Sequence, residues 1–150
     1  MQDLHKDMVV IDGLVISNWS RSVFEDMHKG GLTAANCTVC VWDNFAETMR
    51  NVSKFKGWIE ENSDILTQVY TTSDIERAKA EGKVGIILGW QNTSGIEDQI
   101  GYLRLFKELG VGVIQLTYNT HNWVGSGCWE TYDSGLSDFG REVVDEMNCV

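Results

Sequence analysis

Short apolar runs alternate along the chain with longer segments in which apolar residues recur every three or four positions. The runs predict β-strands and the longer segments predict amphipathic helices. The predicted strands cover residues 8–17, 32–42, 65–70, 84–90 and 111–118. The predicted helices cover residues 20–29, 43–62, 73–81, 96–109 and 134–148. Strands that alternate with helices favour an α/β fold with parallel strands and right-handed crossovers.

Two architectures fit this alternation: an open doubly wound sheet, or the N-terminal portion of a (β/α)8 TIM-type barrel. The run at 84–88 is almost entirely apolar, which is typical of a strand covered on both faces. A full barrel needs about 250 residues, so a chain of this length would form about five of its eight β/α units. We therefore predict one domain over residues 1–150, and the last helix, which has no cap, leads us to expect that the natural chain continues.

Local signals mark the helix ends. Ser73 and Glu76 have the spacing of a capping box at the start of the helix 73–81. Gly82 and Gly110 follow the ends of two predicted helices, where glycine is favoured.

The composition restricts the partners of the protein. The chain is 43% hydrophobic and carries a formal net charge of −10. The negative charge argues against nucleic acid and anionic membranes, and favours cationic or zwitterionic small molecules. No stretch reaches the roughly 20 apolar residues of a membrane span, and the polar residues 1–7 lack the apolar core of a signal peptide. We therefore predict a cytoplasmic protein that acts on a small molecule.

Cys37 and Cys40 have the Cys-x-x-Cys spacing, but they lie in an apolar run predicted to be a strand. Positions three apart on a strand point to opposite faces, whereas a redox or zinc pair needs both sulfurs together. No second motif of this kind occurs in the sequence to complete a zinc site. The sequence therefore favours buried core thiols.

Polar residues gather where the predicted strands end. Gln91 and Asn92 follow the fourth strand, Tyr118 is at the end of the fifth, and Asn122 follows it. Ligands of parallel α/β folds bind at this edge, so we predict these four residues as polar contacts to a substrate. The fourth-strand loop lacks the glycine spacing and the lysine of a phosphate-binding loop.

Three tryptophans, Trp19, Trp42 and Trp90, also lie near predicted strand ends. We predict them as walls of an aromatic pocket, which would suit an ammonium or methylated ammonium group through cation–π contact. The alternative is ordinary packing of these rings in the core.

Three segments of the sequence share a pattern with a known family. The first strand contains Asp-Gly at 12–13, and residues 95–104 lead into LGV at 109–111 and QLT at 115–117. Residues 135–148 read GLSDFGREVVDEMN. In these segments the chain resembles the membrane (renal) dipeptidase family, which are zinc hydrolases on a (β/α)8 barrel. The resemblance implies the first part of such a barrel.

The resemblance also implies hydrolysis of a short peptide or related amide, with zinc as the cofactor and a dipeptide as the substrate. The family's histidine and aspartate on the first strand correspond to Leu14 and Ile16. Its bridging glutamate corresponds to Gln91, and its substrate-contacting histidine to Tyr118. The chain thus resembles a divergent branch without the strand-1 metal ligands, and we predict no metal-ligating residue in it.

Two other hypotheses stay open. A metal-free binding or regulatory barrel would keep an aromatic pocket for a small cationic or zwitterionic ligand, and the apolar Leu14 and Ile16 favour it. A homo-oligomer would cover the two sheet edges that a partial barrel exposes. The near-complete match of the scaffold favours a dipeptidase-like hydrolase.

Overall fold

A computed structural model describes residues 4–150 and shows helices packed around a parallel sheet. The strands are β1 (Ile11–Val15), β2 (Ala34–Cys40), β3 (Leu66–Gln68), β4 (Val84–Trp90) and β5 (Val111–Ile114). The helices are α1 (Leu4–Asp7), α2 (Arg21–Lys29), α3 (Phe45–Glu61), α4 (Thr72–Glu81), α5 (Tyr102–Glu108) and α6 (Asp138–Cys149), with a short 3-10 helix at Thr93–Ile96. Each predicted strand and helix has a counterpart, so the predicted α/β fold is confirmed.

Several predicted boundaries differ from the structure: the last helix begins at Asp138 rather than at 134, and the fifth strand ends at Ile114 rather than at 118. The helix predicted over 96–109 begins only at Tyr102, because Glu97 has a left-handed φ of 53° after the 3-10 helix. The capping box lies at Thr71 and Asp74 rather than at Ser73 and Glu76. The Asp74 carboxylate accepts the backbone N–H groups of Tyr70 and Thr71, so the N-cap is Thr71, two residues before Ser73.

The sheet is centred on β2 and β4, which pair in parallel, with β1 on the outer side of β2. Both β3 and β5 pair with the other edge of β4. Leu66 of β3 lies opposite Val84 at the start of β4, and Ile114 of β5 lies opposite Trp90 at its end. β3 is only three residues long and lies beside the first half of β4, so it ends before this edge of the sheet is reached. The carboxyl ends of β1, β2, β4 and β5 form the edge, here called the carboxyl rim.

The hydrophobic core lies between the sheet and its helices. Its strand residues include Cys37, Val39, Ile86 and Leu88, and Phe24, Phe55 and Phe106 cover them from the helices. Burial raises the pKa of the Cys37 thiol to about 12. Cys40 is also buried, and its pKa is raised mainly by burial. Both cysteines are free thiols, as the strand position predicts.

One polar side chain links three strands. Asn36 of β2 is only 4% exposed, and its Nδ2 donates to the Gly13 carbonyl of β1 at 2.9 Å. Its Oδ1 lies against Gly89 of β4, where an added Cβ would collide with it, and it has no hydrogen-bond partner among the described residues. Gly89 therefore makes the space that the Asn36 carboxamide occupies.

Within residues 4–150, no helix is long and apolar enough to cross a membrane.

Candidate functional site

The carboxyl rim collects the residues that follow the parallel strands. Ile16 comes directly after β1 and Gln91 directly after β4. The ends of β2, β4 and β5 lie side by side, because Trp90 is opposite both Cys40 and Ile114. This edge is where ligands bind in parallel α/β folds.

Gln91 is fixed rigidly in the rim. It is 6% exposed, and its Nε2 donates to the Thr38 hydroxyl of β2 at 3.0 Å. Its backbone N–H donates to the Cys40 carbonyl at 2.9 Å. The carboxamide therefore has one orientation, with a neutral oxygen that can only accept hydrogen bonds. Sequence reasoning missed Thr38, although a hydroxyl residue inside an otherwise apolar strand is a signal for a polar partner.

Asn92 and Asn122 join each other and hold the loop after β5. The Asn122 Nδ2 donates to the Asn92 Oδ1, to the Thr93 hydroxyl and to a backbone carbonyl. The Asn122 Oδ1 accepts the N–H groups of Val124 and Gly125 at 2.7 and 3.0 Å. The side-chain oxygens of Asn92 and Asn122 and the Asn122 Nδ2 group are thus all hydrogen-bonded within the protein. These two residues therefore support the loop from behind the rim.

Trp42 and Tyr118 form an aromatic pair at the ends of β2 and β5. Their ring centroids lie 5.6 Å apart with an interplanar angle of 35°. Trp42 is 53% exposed, so one face of the pair is open to a ligand. These two rings, which the sequence assigned to one site, do lie together.

The other two predicted tryptophans lie elsewhere. Trp90 is 1% exposed and packs edge-on against Phe106 at 4.6 Å, so its ring belongs to the core, as the packing alternative holds. Its side chain points to the helix side of β4, because it alternates with Gln91 along the chain. Trp19 lines a separate pocket between the end of β1 and α3. The three tryptophans therefore do not enclose one pocket.

The rim residues do not fit a metal ion. Leu14 and Ile16 are 45% and 64% exposed hydrocarbons, and neither can donate a lone pair to a metal. No group of three or more His, Cys, Asp or Glu residues within 4–150 could hold a metal ion. Cys40 is the thiol at the end of β2, but it is 1% exposed and burial raises its pKa, so it stays protonated and inaccessible.

The loop from 119 to 137 is locked onto the start of α6. The Ser137 hydroxyl donates to the Trp123 carbonyl and accepts the Gly140 N–H at 2.9 Å, which caps the helix. A Cβ on Gly140 would collide with the Val124 backbone. His121 is exposed on this loop, where its backbone N–H donates to the Glu130 carboxylate. Among residues 4–150, it forms no hydrogen bond with the rim residues named above.

The chain matches a family model described as membrane dipeptidase (peptidase family M19) over residues 3–150. One curated relative, the dipeptidase verJ of Clonostachys rogersoniana, is 27% identical over 111 residues, which are 73% of this chain and 29% of the relative. A crystal structure of an amidohydrolase from Pseudomonas aeruginosa is 56% identical, with a TM-score of 0.96 over 98% of this chain and 45% of that chain.

A more distant structure shows the fold alone. It is a metallo peptidase from Rhodobacter sphaeroides with a bound phosphinate mimic of the dipeptide L-Ala-D-Ala. It is 15% identical, with a TM-score of 0.80 over 95% of this chain and 56% of that chain. This chain thus spans about a third to a half of the length of the proteins it resembles.

Proposed function

The chain belongs to the membrane dipeptidase family, and from this premise we propose that the protein is a peptidase-type hydrolase that acts on a short peptide or related amide. The observation that carries the proposal is the family match over residues 3–150, combined with an open aromatic and polar rim at the strand ends. The amidohydrolase that is 56% identical to this chain supports a hydrolase of this general class.

In this proposal the rim binds and orients the substrate. Gln91, held by Thr38, offers a fixed neutral carboxamide to the peptide group of the substrate. Trp42 and Tyr118 provide the adjoining aromatic surface, and Asn92 and Asn122 keep the loop in place behind it. A rigid set of this kind suits a small, neutral or zwitterionic peptide.

Zinc, which the resemblance implies, does not fit the residues of this chain. The resemblance implies metal ligands at the positions of Leu14, Ile16 and Gln91, and none of these three side chains can be an anionic or imidazole ligand. We therefore assign binding and orientation to these 150 residues and no step to a metal.

The proposal is tested by turnover of a dipeptide panel by the purified protein. Gly-L-Leu, L-Ala-L-Ala and L-Ala-D-Ala are incubated with it, and the free amino acids are quantified by mass spectrometry. Gln91→Met keeps the side-chain length but removes the carboxamide, and we expect a loss of about tenfold or more in kcat/KM. Gln99→Met is the matched control, because the Gln99 side chain is exposed and, among residues 4–150, forms a hydrogen bond only with the neighbouring Asp98.

Two outcomes would count against the proposal: no hydrolysis of any panel member by the wild-type protein, or equal activity of the Gln91→Met and wild-type proteins. The second candidate function is a metal-free binding or regulatory barrel, which the hydrocarbon side chains of Leu14 and Ile16 favour. Saturable ligand binding without turnover would support that function.

A further inference from the structure

A second pocket, here called the α3 pocket, opens beside the rim between the end of β1 and helix α3. Its volume is about 230 Å³, and it lies next to the candidate site because Thr38, the partner of Gln91, forms part of its wall. Pockets for drug-sized ligands measure about 300–1,000 Å³, so the α3 pocket suits a molecule of about the size of one amino acid.

Helix α3 supplies one face of the pocket. Asn51, Lys54, Phe55 and Trp58 occupy positions i, i+3, i+4 and i+7, which places them on one stripe of the helix. The opposite side comes from Trp19, in the segment after β1. The pocket therefore combines an aromatic wall with polar groups from the same helix.

The aromatic wall is tightly packed and preorganised. Trp19 meets Phe55 edge-on at 5.1 Å, and Phe55 meets Trp58 edge-on at 5.1 Å. Phe24 stacks behind Trp19 at 5.7 Å. Because these rings brace one another, they offer a fixed apolar surface to a ligand without a large cost of ordering side chains on binding.

The pocket also holds one carboxylate and one ammonium group. Asp43 is fixed by two hydrogen bonds of 3.0 Å, from the Asn51 Nδ2 to Oδ1 and from the Val41 N–H to Oδ2. Lys54 lies at the same pocket from the next turn of α3. Neither Asp43 nor Lys54 forms an ion pair with any of residues 4–150, so both charges are available to a ligand of opposite charges.

We propose that the α3 pocket binds a free amino acid with an apolar side chain. The ammonium group of the ligand bonds to Asp43, its carboxylate to Lys54, and its side chain contacts Trp19, Phe55 and Trp58. Equilibrium binding of an amino acid in the α3 pocket does not depend on whether the rim hydrolyses peptides.

The test compares three ligands in titrations of the protein by calorimetry and by tryptophan fluorescence. L-leucine carries both charges, L-leucinamide lacks the carboxylate, and N-acetyl-L-leucine lacks the ammonium group. Trp19 and Trp58 line the pocket, so their emission should change on binding. We expect L-leucine to bind about tenfold or more tightly than either analogue, since each analogue loses one charge-assisted contact.

A variant pair separates the pocket from general charge effects. Lys54→Met should weaken the binding of L-leucine about tenfold and leave the affinity for L-leucinamide unchanged, because only L-leucine has a carboxylate to bond to the lysine. Arg50→Met removes one positive charge from the same helix outside the pocket, and both affinities should stay as in the wild type. Equal affinities for the three ligands, no saturable binding at millimolar concentrations, or equal losses in both variants would overturn the proposal.

Discussion

Gly89 should be intolerant of a single methyl group, because the Asn36 carboxamide fills the space beside it. A Cβ on Gly89 would collide with the Asn36 Oδ1 and displace a side chain that is 4% exposed. The displacement would break the 2.9 Å hydrogen bond from Asn36 to the Gly13 carbonyl of β1. One methyl group would thus disturb β1, β2 and β4 together.

Two terms set the size of the effect. Overpacking of a dense interior costs about 1–3 kcal/mol, and a buried hydrogen bond broken with its groups left inside costs about 1–3 kcal/mol. The lower chain entropy of unfolded alanine returns about 0.4–1 kcal/mol. We therefore expect Gly89→Ala to lower the free energy of unfolding by about 2–4 kcal/mol.

A double-mutant cycle separates the collision from other effects. Asn36→Ala removes the carboxamide and leaves a space that the methyl group introduced by Gly89→Ala can occupy. The loss of unfolding free energy in the double variant should therefore be about 2 kcal/mol smaller than the sum of the losses in the two single variants. Urea unfolding followed by circular dichroism measures all four proteins. Gly57→Ala on α3 is the control, because its Cβ would meet nothing within 4 Å and alanine favours a helix.

Strict additivity of the two substitutions would refute this reasoning. So would a Gly89→Ala protein as stable as the wild type, since Asn36 would then have free space to move into.

Three further predictions concern stability and reactivity. Backbone N–H groups lower the pKa of Asp74 to about 2 from 3.8. Its contribution to the free energy of unfolding should therefore be present above pH 4 and be lost as the pH falls towards 2. In Asp74→Asn, the urea concentration at the unfolding midpoint should change less with pH over this range. Gly140→Ala should lower Tm by several degrees in a thermal scan, because the new Cβ, whose position the helix backbone fixes, would collide with the backbone carbonyl of Val124. Iodoacetamide should label the exposed Cys128 in the native protein and spare Cys37 until urea unfolds it, as mass spectrometry of the peptides can check.

The order of strands and helices was predictable because apolar periodicity follows directly from burial on one or two faces. Val84–Trp90, a nearly all-apolar run, forms the central strand as predicted. The position of β3 was not predictable, because three residues carry no signal for which half of a neighbouring strand they join. The break at Glu97 also left no signal, since a left-handed φ at a glutamate is set by the tertiary structure around it.

The candidate site was predictable in its location and only partly in its members. Strand ends point to the rim, which the pair Trp42 and Tyr118 occupies. Trp90 shows why the rest was harder to predict: at a strand end, one residue of register decides whether a side chain faces the rim or the core. Contacts such as that of Gln91 with Thr38 join residues 53 positions apart, and pattern reasoning along the chain does not reach such pairs.

The central claim is that this chain has the scaffold of the dipeptidase family while the described side chains of its carboxyl rim do not fit a metal ion. The most direct measurement is the zinc content, by elemental analysis after dialysis, of the wild-type protein and of a variant with Leu14→His, Ile16→Asp and Gln91→Glu. Three such ligands suffice for a zinc site, so we expect about one zinc per chain in the variant and none in the wild type. Stoichiometric zinc in the wild-type protein would contradict the claim.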